Sequence, residues 1–320
     1  MKLTVDCSLS HNLLALPADS ALARLISRAK VRQLDMPLEA LVCAQHGLLE
    51  TPDYPIAAIA ANTDGLAVGG TYWLRADPVH LLLQRDSFSL SEPAPLQVDR
   101  AHADIIIASL NQHFSQDGMT FCIGNSGAWY LHLKQMPEIQ TTLPSVAMDR
   151  NIYQFMPQGP AASVWVSYLN EIQMLLHDHS VNIQRESKHQ AAINSVWLSG
   201  GGFMPQTLPP ERGIDLFVAN SPLYHGLAQC SGLAIQSVEE PLPKILQHLD
   251  AHLHARLELP GHHLSDDANF NVLWEALRAG KIEQLTLNLG CYEKTLVATI
   301  RPVETYKFWR KSKPVAIYLK

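Results

Sequence analysis

The sequence predicts an α/β protein, a mixed sheet with helices on both faces that carries an inserted α+β subdomain. Three observations predict it. Residues 216–219, 223–227 and 235–238 read as strand, helix, strand, the alternation of a parallel α/β sheet. Residues 285–289 and 295–300 alternate apolar and polar side chains around Gly290, as a hairpin does. Between 71 and 205, short strands and helices follow one another too closely for an all-α fold, which marks that stretch as the insertion. The expected division is a core of 1–70 and 206–320 and an inserted subdomain of 71–205.

Residues 1–5 are a strand candidate. Residues 21–29 read as a helix, with Leu22, Leu25 and Ile26 on one face and Asp19 or Ser20 as its N-cap. Residues 37–47 give a second helix, stopped by Gly47. After the proline-bearing stretch 51–55, residues 56–61 and 71–74 read as strands, with Asp64-Gly65 as a turn between them. Residues 79–83 and 88–90 form strands around Arg85-Asp86-Ser87. Residues 101–114 make a helix with Ile105, Ile106 and Leu110 inward, and 119–123 pairs with 129–133 across Gly124-Asn125-Ser126-Gly127. Beyond Pro160, Trp165, Tyr168, Leu169, Ile172, Leu175 and Leu176 recur at helical spacing, the strongest helix signal in the chain. A strand is expected over 193–198 and a helix over 243–255. Another helix starts at Asp266 or Asp267, carries Phe270, Leu273, Trp274 and Leu277, and closes at Gly280.

A chain of 320 residues, 47% of them hydrophobic, can bury one large core or two moderate ones. Its 24 Lys and Arg against 30 Asp and Glu give a net charge of -6, which disfavours nucleic acid as a partner because the phosphate backbone asks for a basic face. The stretch Lys307-Phe308-Trp309-Arg310-Lys311-Ser312-Lys313 mixes cations with aromatics. It reads as solvated surface or, less readily, as a phosphate-binding patch. Cys7, Cys43, Cys122, Cys230 and Cys291 are scattered, with no C-x-x-C pair, so they make neither a disulfide framework nor a zinc ribbon and fit a reducing cytoplasm. Asp6, Ser8, Ser10, His11 and Asn12 interrupt the first apolar positions and make a poor signal peptide. No apolar run is long enough to cross a bilayer. A soluble, cytoplasmic protein with no membrane partner is expected.

Four groupings carry candidate chemistry. The first is His177-Asp178-His179 with Asn182, Arg185 and Asn194. Helical residues two apart diverge, so the histidines are no metal pair unless a helix ends there. Arg185 can hold a phosphate or carboxylate in bidentate fashion, while the asparagines can orient ligand oxygens or hold the backbone of a turn. The second is Ser199-Gly200-Gly201-Gly202. It lacks a following Lys-Ser/Thr, meets Pro205 before a helix can start, and fits neither phosphate-binding fingerprint; close packing is the plainer reason for its glycines. The third is Arg75-Ala76-Asp77-Pro78-Val79-His80 with Arg85-Asp86, where two arginines can clamp a phosphorylated ligand or Arg85 can form a surface ion pair. The fourth is His248, His252, His254, His262 and His263 with Asp250, Asp266 and Asp267. His248 and His252 share a face of the expected helix, and His263 and Asp266 can complete a metal site, although 15 histidines also produce such pairs by chance. No G-x-S-x-G elbow is present and no cysteine motif names a nucleophile.

The string Leu175-Leu176-His177-x-His179-x-Val181-Asn182-x-x-Arg185, then Ile193-Asn194-Ser195-Val196-Trp197-Leu198 and the glycines up to Pro205, resembles a segment of the archaeal-type cofactor-independent phosphoglycerate mutases of the alkaline-phosphatase superfamily, with Ser180 in place of a proline. Tyr72-Trp73-Leu74-Arg75-Ala76-Asp77 and Gln84-Arg85-Asp86 resemble the arginine-bearing strands of that family's substrate domain. Phe217-Val218-Ala219-Asn220 through Ser231-Gly232-Leu233 resembles the return into its metal-binding core. A closer resemblance is to the RpfE-type regulatory proteins of proteobacteria, through the WLRADPVHL and LNEIQMLLHDHSVN segments.

The resemblance implies an alkaline-phosphatase-like sheet and, for activity, two manganese or zinc ions held by Asp and His beside a Ser or Thr nucleophile. Asp6 stands near the place of the first metal aspartate, but Cys7-Ser8 follows it instead of glycine. Met36-Pro37-Leu38-Glu39 stands where the nucleophile belongs, and 259–267 only blurs the later ligands. The expectation is a catalytically degenerate relative without a cofactor. It would bind a small phosphorylated metabolite through Arg75, Asp77, Arg85, His177, Asn182, Arg185 and Asn194 and act as a regulator. The alternatives are a metal-dependent phosphomutase or phosphatase using Asp6, His263 and Asp266, and an interaction scaffold presenting Trp165, Trp197 and Trp309.

Overall fold

The structure is a computed structural model that describes residues 1–9, 14–83, 88–90, 96–209, 213–259 and 267–319. The chain opens with β1 (Lys2–Ser8), α1 (Ala21–Arg28), β2 (Lys30–Leu34) and α2 (Leu38–Gln45). There follow α3 (Ile56–Thr63), β3 (Tyr72–Val79), β4 (Leu81–Leu83), β5 (Phe88–Leu90), α4 (Arg100–His113), β6 (Met119–Ile123), β7 (Trp129–Leu133), α5 (Pro144–Ala147), α6 (Ala162–His177), α7 (Ser180–Ser187) and β8 (Ser195–Gly202). The last elements are β9 (Leu216–Val218), α8 (Pro222–Ser231), β10 (Ala234–Gln236), α9 (Leu242–His248), β11 (His254–Leu259), α10 (Ala268–Arg278), β12 (Gln284–Cys291) and β13 (Lys294–Ile300). Two compact units result, Met1–Gly47 with Thr207–Lys320, and Leu48–Gln206.

In the first unit seven strands form a sheet in the order β10-β9-β11-β1-β12-β13-β2. The strands from β10 to β12 run parallel, while β13 is antiparallel to both of its neighbours. Side chains alternate across a strand, so Leu3, Val5 and Cys7 of β1 share a face with Leu257 and Leu259 of β11 and Leu285, Leu287 and Leu289 of β12. That face is buried under α1, α9 and α10, through Leu22, Leu25, Leu246, Phe270, Leu273 and Leu277. Each fully buried side chain of this kind stabilises the fold by about 1.5–3 kcal/mol. Asp267 braces the layer from outside its own helix: its carboxylate accepts from the backbone N–H of Ala21 and of Leu22 (2.9 Å), at the start of α1. An anion there suits the positive end of the helix dipole. On the opposite face α2 packs on β12, β1 and β13, and α8 packs beside β10. The class is therefore the expected one, a mixed α/β sheet with helices on both faces.

The second unit has an antiparallel sheet in the order β6-β7-β3-β8 and the small hairpin β4-β5. Its core gathers Tyr72, Leu74, Phe114, Phe121, Trp129, Leu131, Trp165, Leu169, Ile172 and Leu198. The glycine stretch belongs to β8 itself rather than to a loop after it. Trp73 pairs with Gly202 and Arg75 with Ser199, so two residues, Gly200 and Gly201, face Leu74 alone. This is a bulge, and Gly200 takes a left-handed φ of 61° to make it. At Gly202, a Cβ would lie 2.7 Å from the Cα of Pro55, so the start of α3 can approach only a glycine.

Further expectations change. Ile105 of α4, expected inward, is 47% exposed, while Ile106 and Leu110 are buried. Residues 56–61 are helical, not extended: a short apolar run fits either state, and its alanines favour the helix, with Ala57, Ala58, Ala60 and Ala61 packed near Trp73 and Tyr130. Residues 48–70 accordingly group with the second unit instead of the first. The helix expected over 243–255 ends at His248, and His254–Leu259 is a strand lying between β9 and β1.

Candidate functional site

A dense polar centre lies inside the first unit, on the sheet face opposite Leu3 and Val5. Register sets Asp6 of β1 opposite Glu258 of β11 and Asn288 of β12, so the three side chains project to one side. Arg256, two residues before Glu258, projects to the same side, and Tyr224 reaches in from α8. Asp6, Arg256 and Asn288 are at most 1% exposed.

The Asp6 carboxylate is filled. Oδ2 accepts from Arg256 Nε (2.5 Å) and from the Tyr224 hydroxyl (2.7 Å), while Oδ1 accepts from Arg256 Nη2 (3.1 Å) and from Asn288 Nδ2 (2.7 Å). Each oxygen thus holds two donors, about the capacity of its lone pairs. The charge is met by a buried, two-pronged guanidinium contact. Burial, reinforced by the Asp6 charge, holds the Tyr224 phenol well above its ordinary pKa. Burial likewise pushes Glu258 up, against the hydrogen bonds it receives from Ser221 and Asn220. Asn288 Oδ1 is buried without a partner among the described residues.

The resemblance implies a divalent metal at Asp6, and the centre does not fit one. A cation there would have to displace Arg256, and an unpaired guanidinium in a buried site is costly. Among the described residues no group of three His, Cys, Asp or Glu side chains is arranged to hold a metal. His263 and Asp266, the other metal candidates, lie outside the described residues.

The expected ligand-binding residues belong to the second unit, and Arg75, Asp77, Asn182, Arg185 and Asn194 are already bonded within it. Arg185, 1% exposed, donates from Nε to Ala191 O (2.8 Å), from Nη1 to Gln97 O (3.2 Å) and from Nη2 to Leu96 O. Its guanidinium is spent on backbone carbonyls. Asn182 donates to Leu176 O (2.7 Å) and Ile193 O (2.8 Å) and accepts from Ile193 N (2.8 Å). Asn194 brackets Leu81, accepting from its N–H (2.7 Å) and donating to its carbonyl (2.9 Å). Arg75 pairs with Asp77, donates to the Tyr130 hydroxyl (3.3 Å) and lies over the Tyr130 ring at 4.9 Å. Burial pulls the Arg75 pKa down, but Asp77 and Tyr130 outweigh it and raise it overall. The Tyr130 hydroxyl continues to Asp64 (2.9 Å), which also holds Ser126 N and Oγ at 2.6 Å. Arg75, Asp77, Tyr130 and Asp64 are therefore brought together, whereas Arg185 and Asn182 serve the junction of α6, α7 and β8. Arg85 lies outside the described residues.

The histidine pair separates because α6 does end at His177. His177 is exposed and lies 3.8 Å from Asp178, while His179 caps α7 by accepting from Val181 N (3.3 Å) and meets Ser109 Oγ at 2.9 Å. His248 and His252 share no helix face, since α9 stops at His248, whose Nδ1 lies 3.2 Å from Glu240. His252 instead lines an open cleft of about 350 Å³ with Lys2, Asp215, His254 and Glu283 at the start of β1.

Arg256, Glu258, Tyr224 and Asn288 were not singled out by the sequence. The signal for the first two was present: Leu253, Ala255, Leu257 and Leu259 alternate with His254, Arg256 and Glu258, the period of a strand.

In sequence the chain matches no family model and no curated protein. Among solved structures it is similar to a cofactor-independent phosphoglycerate mutase from Thermoplasma acidophilum DSM 1728, with 16% identity, 94% of this chain and 90% of that one covered, and a TM-score of 0.43. It is also similar to the PH0037 protein from Pyrococcus horikoshii, with 11% identity, coverage of 94% and 87%, and a TM-score of 0.48. At these values neither likeness bears on the site, and the fold rests on the strand order given above.

Proposed function

We propose that this chain is a phosphoglycerate-mutase-like protein that no longer turns over a substrate and acts by binding. The observation that carries the reading is the Asp6 carboxylate, closed on all sides by Arg256, Tyr224 and Asn288. Catalysis of the kind the resemblance implies needs an open carboxylate to hold a metal and an activated nucleophile beside it. Here the carboxylate holds an internal cation instead. The resemblance to RpfE-type regulatory proteins fits a role in regulation. Because Arg185, Asn182 and Asn194 are committed to backbone groups, a phosphorylated ligand would have to be met by another donor of the second unit, the partly exposed Arg75, drawn from its pairing with Asp77.

Metal analysis joined to a thermal-shift titration with 3-phosphoglycerate tests the reading. The expected result is only trace manganese or zinc in the purified protein and an apparent Tm that EDTA leaves in place. A ligand that binds the folded state raises Tm by mass action, by about 2.7 kcal/mol of stability at a hundredfold excess over Kd. A shift with EDTA present supports a metal-independent binding protein. Stoichiometric metal, with a ligand shift that EDTA abolishes, would overturn the proposal and restore the enzyme alternative.

A further inference from the structure

Residues 301–319 cross the α1 and α10 side of the first unit. Two 3-10 turns, Pro302–Tyr306 and Val315–Leu319, pack on α1, and Val315 is buried in the core. Arg310 Nη1 donates to the carbonyls of Arg28 (3.5 Å) and Ala29 (3.2 Å), and Ser312 Oγ meets Ser27 Oγ at 3.3 Å. The segment is thus anchored through Val315, Tyr318 and Leu319, yet its other large apolar side chains are exposed. Phe308 is 84% exposed, Val303 73% and Trp309 67%, with Tyr306 close behind. Phe308 and Trp309 pack edge to face at 5.3 Å, which makes one projecting aromatic step.

Positive charge surrounds that step. Between 301 and 319 stand Arg301, Lys307, Arg310, Lys311 and Lys313 against one acid, Glu304, in a chain whose net charge is -6. Beside them on α1, Arg24 and Arg28 lie over the Trp274 ring at 5.4 and 4.9 Å. The Nε of Arg24 and the Nε and Nη1 of Arg28 are buried without a hydrogen-bond acceptor among the described residues. Burial and the charges of Arg24 and Arg278 lower the Arg28 pKa.

We infer that this face docks on an anionic phospholipid surface, with Val303, Tyr306, Phe308 and Trp309 entering the headgroup boundary and the arginines and lysines meeting lipid phosphates. Trp and Tyr favour that boundary, and long basic side chains bury their stems there while keeping their charge in the polar layer. A basic patch beside apolar side chains is the combination that reversible surface binding requires. Single-stranded nucleic acid would also use cations and rings, but it stacks on flat faces and gains little from Val303 or the half-exposed Ile317. Docking on lipid departs from the expectation of no membrane partner, which rested on the lack of a run able to cross a bilayer; among the described residues no helix is long and apolar enough to do so. Lying on one is a separate property.

The test is co-sedimentation of the full chain with phosphatidylcholine vesicles, with and without roughly one-third phosphatidylglycerol. Binding is expected only with the anionic lipid, and should weaken as salt rises from about 0.1 to about 0.5 M. Two variants separate the contributions, Phe308→Ser with Trp309→Ser, and Lys311→Gln with Lys313→Gln. All four positions are exposed, so Tm should hold while each variant lowers partitioning by about tenfold or more. No binding to anionic vesicles, or binding by both variants equal to that of the unaltered chain, would overturn the inference. So would retention on a single-stranded oligonucleotide without vesicle binding, or a Tm rise with inorganic phosphate alone and none with vesicles.

Discussion

Arg256 and Asp6 are each tolerable only because of the other. A buried ion pair adds little net stability over an apolar pair, but removing one partner strands a charge and costs about 3–5 kcal/mol. Arg256→Met should therefore lower stability by about that amount, and Asp6→Asn by a similar one, in urea unfolding. The double variant should lose at least about 2 kcal/mol less than the two singles added together. Strict additivity would show that the pair is not coupled. Sequence reading reached Asp6 through the family resemblance, which sets it near the place of the first metal aspartate. Its partners stayed hidden because Tyr224, Arg256 and Asn288 come from three elements, and their convergence depends on sheet register. Arg185 and Asn182 show the converse: a polar residue near a helix end reads the same whether it faces a ligand or a carbonyl, and here both face carbonyls.

Among the elements, the long amphipathic helices were legible because their apolar spacing repeats over several turns, as in α4 and α6. The short ones were not. Strand β2 is a mostly polar edge strand of five residues with only Val31 turned to the core, and α3 is an apolar run short enough to fit either state. The glycines after Leu198 were correctly weighed as packing residues, though the reason is particular: β8 bulges, and α3 starts directly over it. Gly202→Ala would push a methyl group into the backbone at Pro55. A loss of about 2–3 kcal/mol is expected, read as a lower urea midpoint with an unchanged slope. An unchanged midpoint would mean that the start of α3 moves aside freely.

For the molecule as a whole, the division at Gly47 and Leu48 has a measurable meaning. The segment Leu48–Gln206 holds its own antiparallel sheet and core and includes Asp64, which binds Tyr130 and Ser126. Expressed alone, it should unfold cooperatively with native-like near-ultraviolet circular dichroism. The shorter 71–205, which lacks α3 and Asp64, should not. Equal behaviour of the two fragments would show that α3 is dispensable. Residues 48–70, which the sequence reading grouped with the core, fall with the second unit, where α3 packs on β3 and β8.

The first unit, by contrast, is assembled from separated pieces. Lys2 pairs with His254 on one side and with Gln284 on the other, so β1 has no neighbours until the rest of its sheet exists. During synthesis the continuous unit can fold while β1 still waits as an apolar, unpaired strand. Contacts so distant in sequence form slowly, and an unpaired apolar strand is open to association in the meantime. Whatever shields nascent chains in the cell would have most to do at β1, until β11 and β12 have been made.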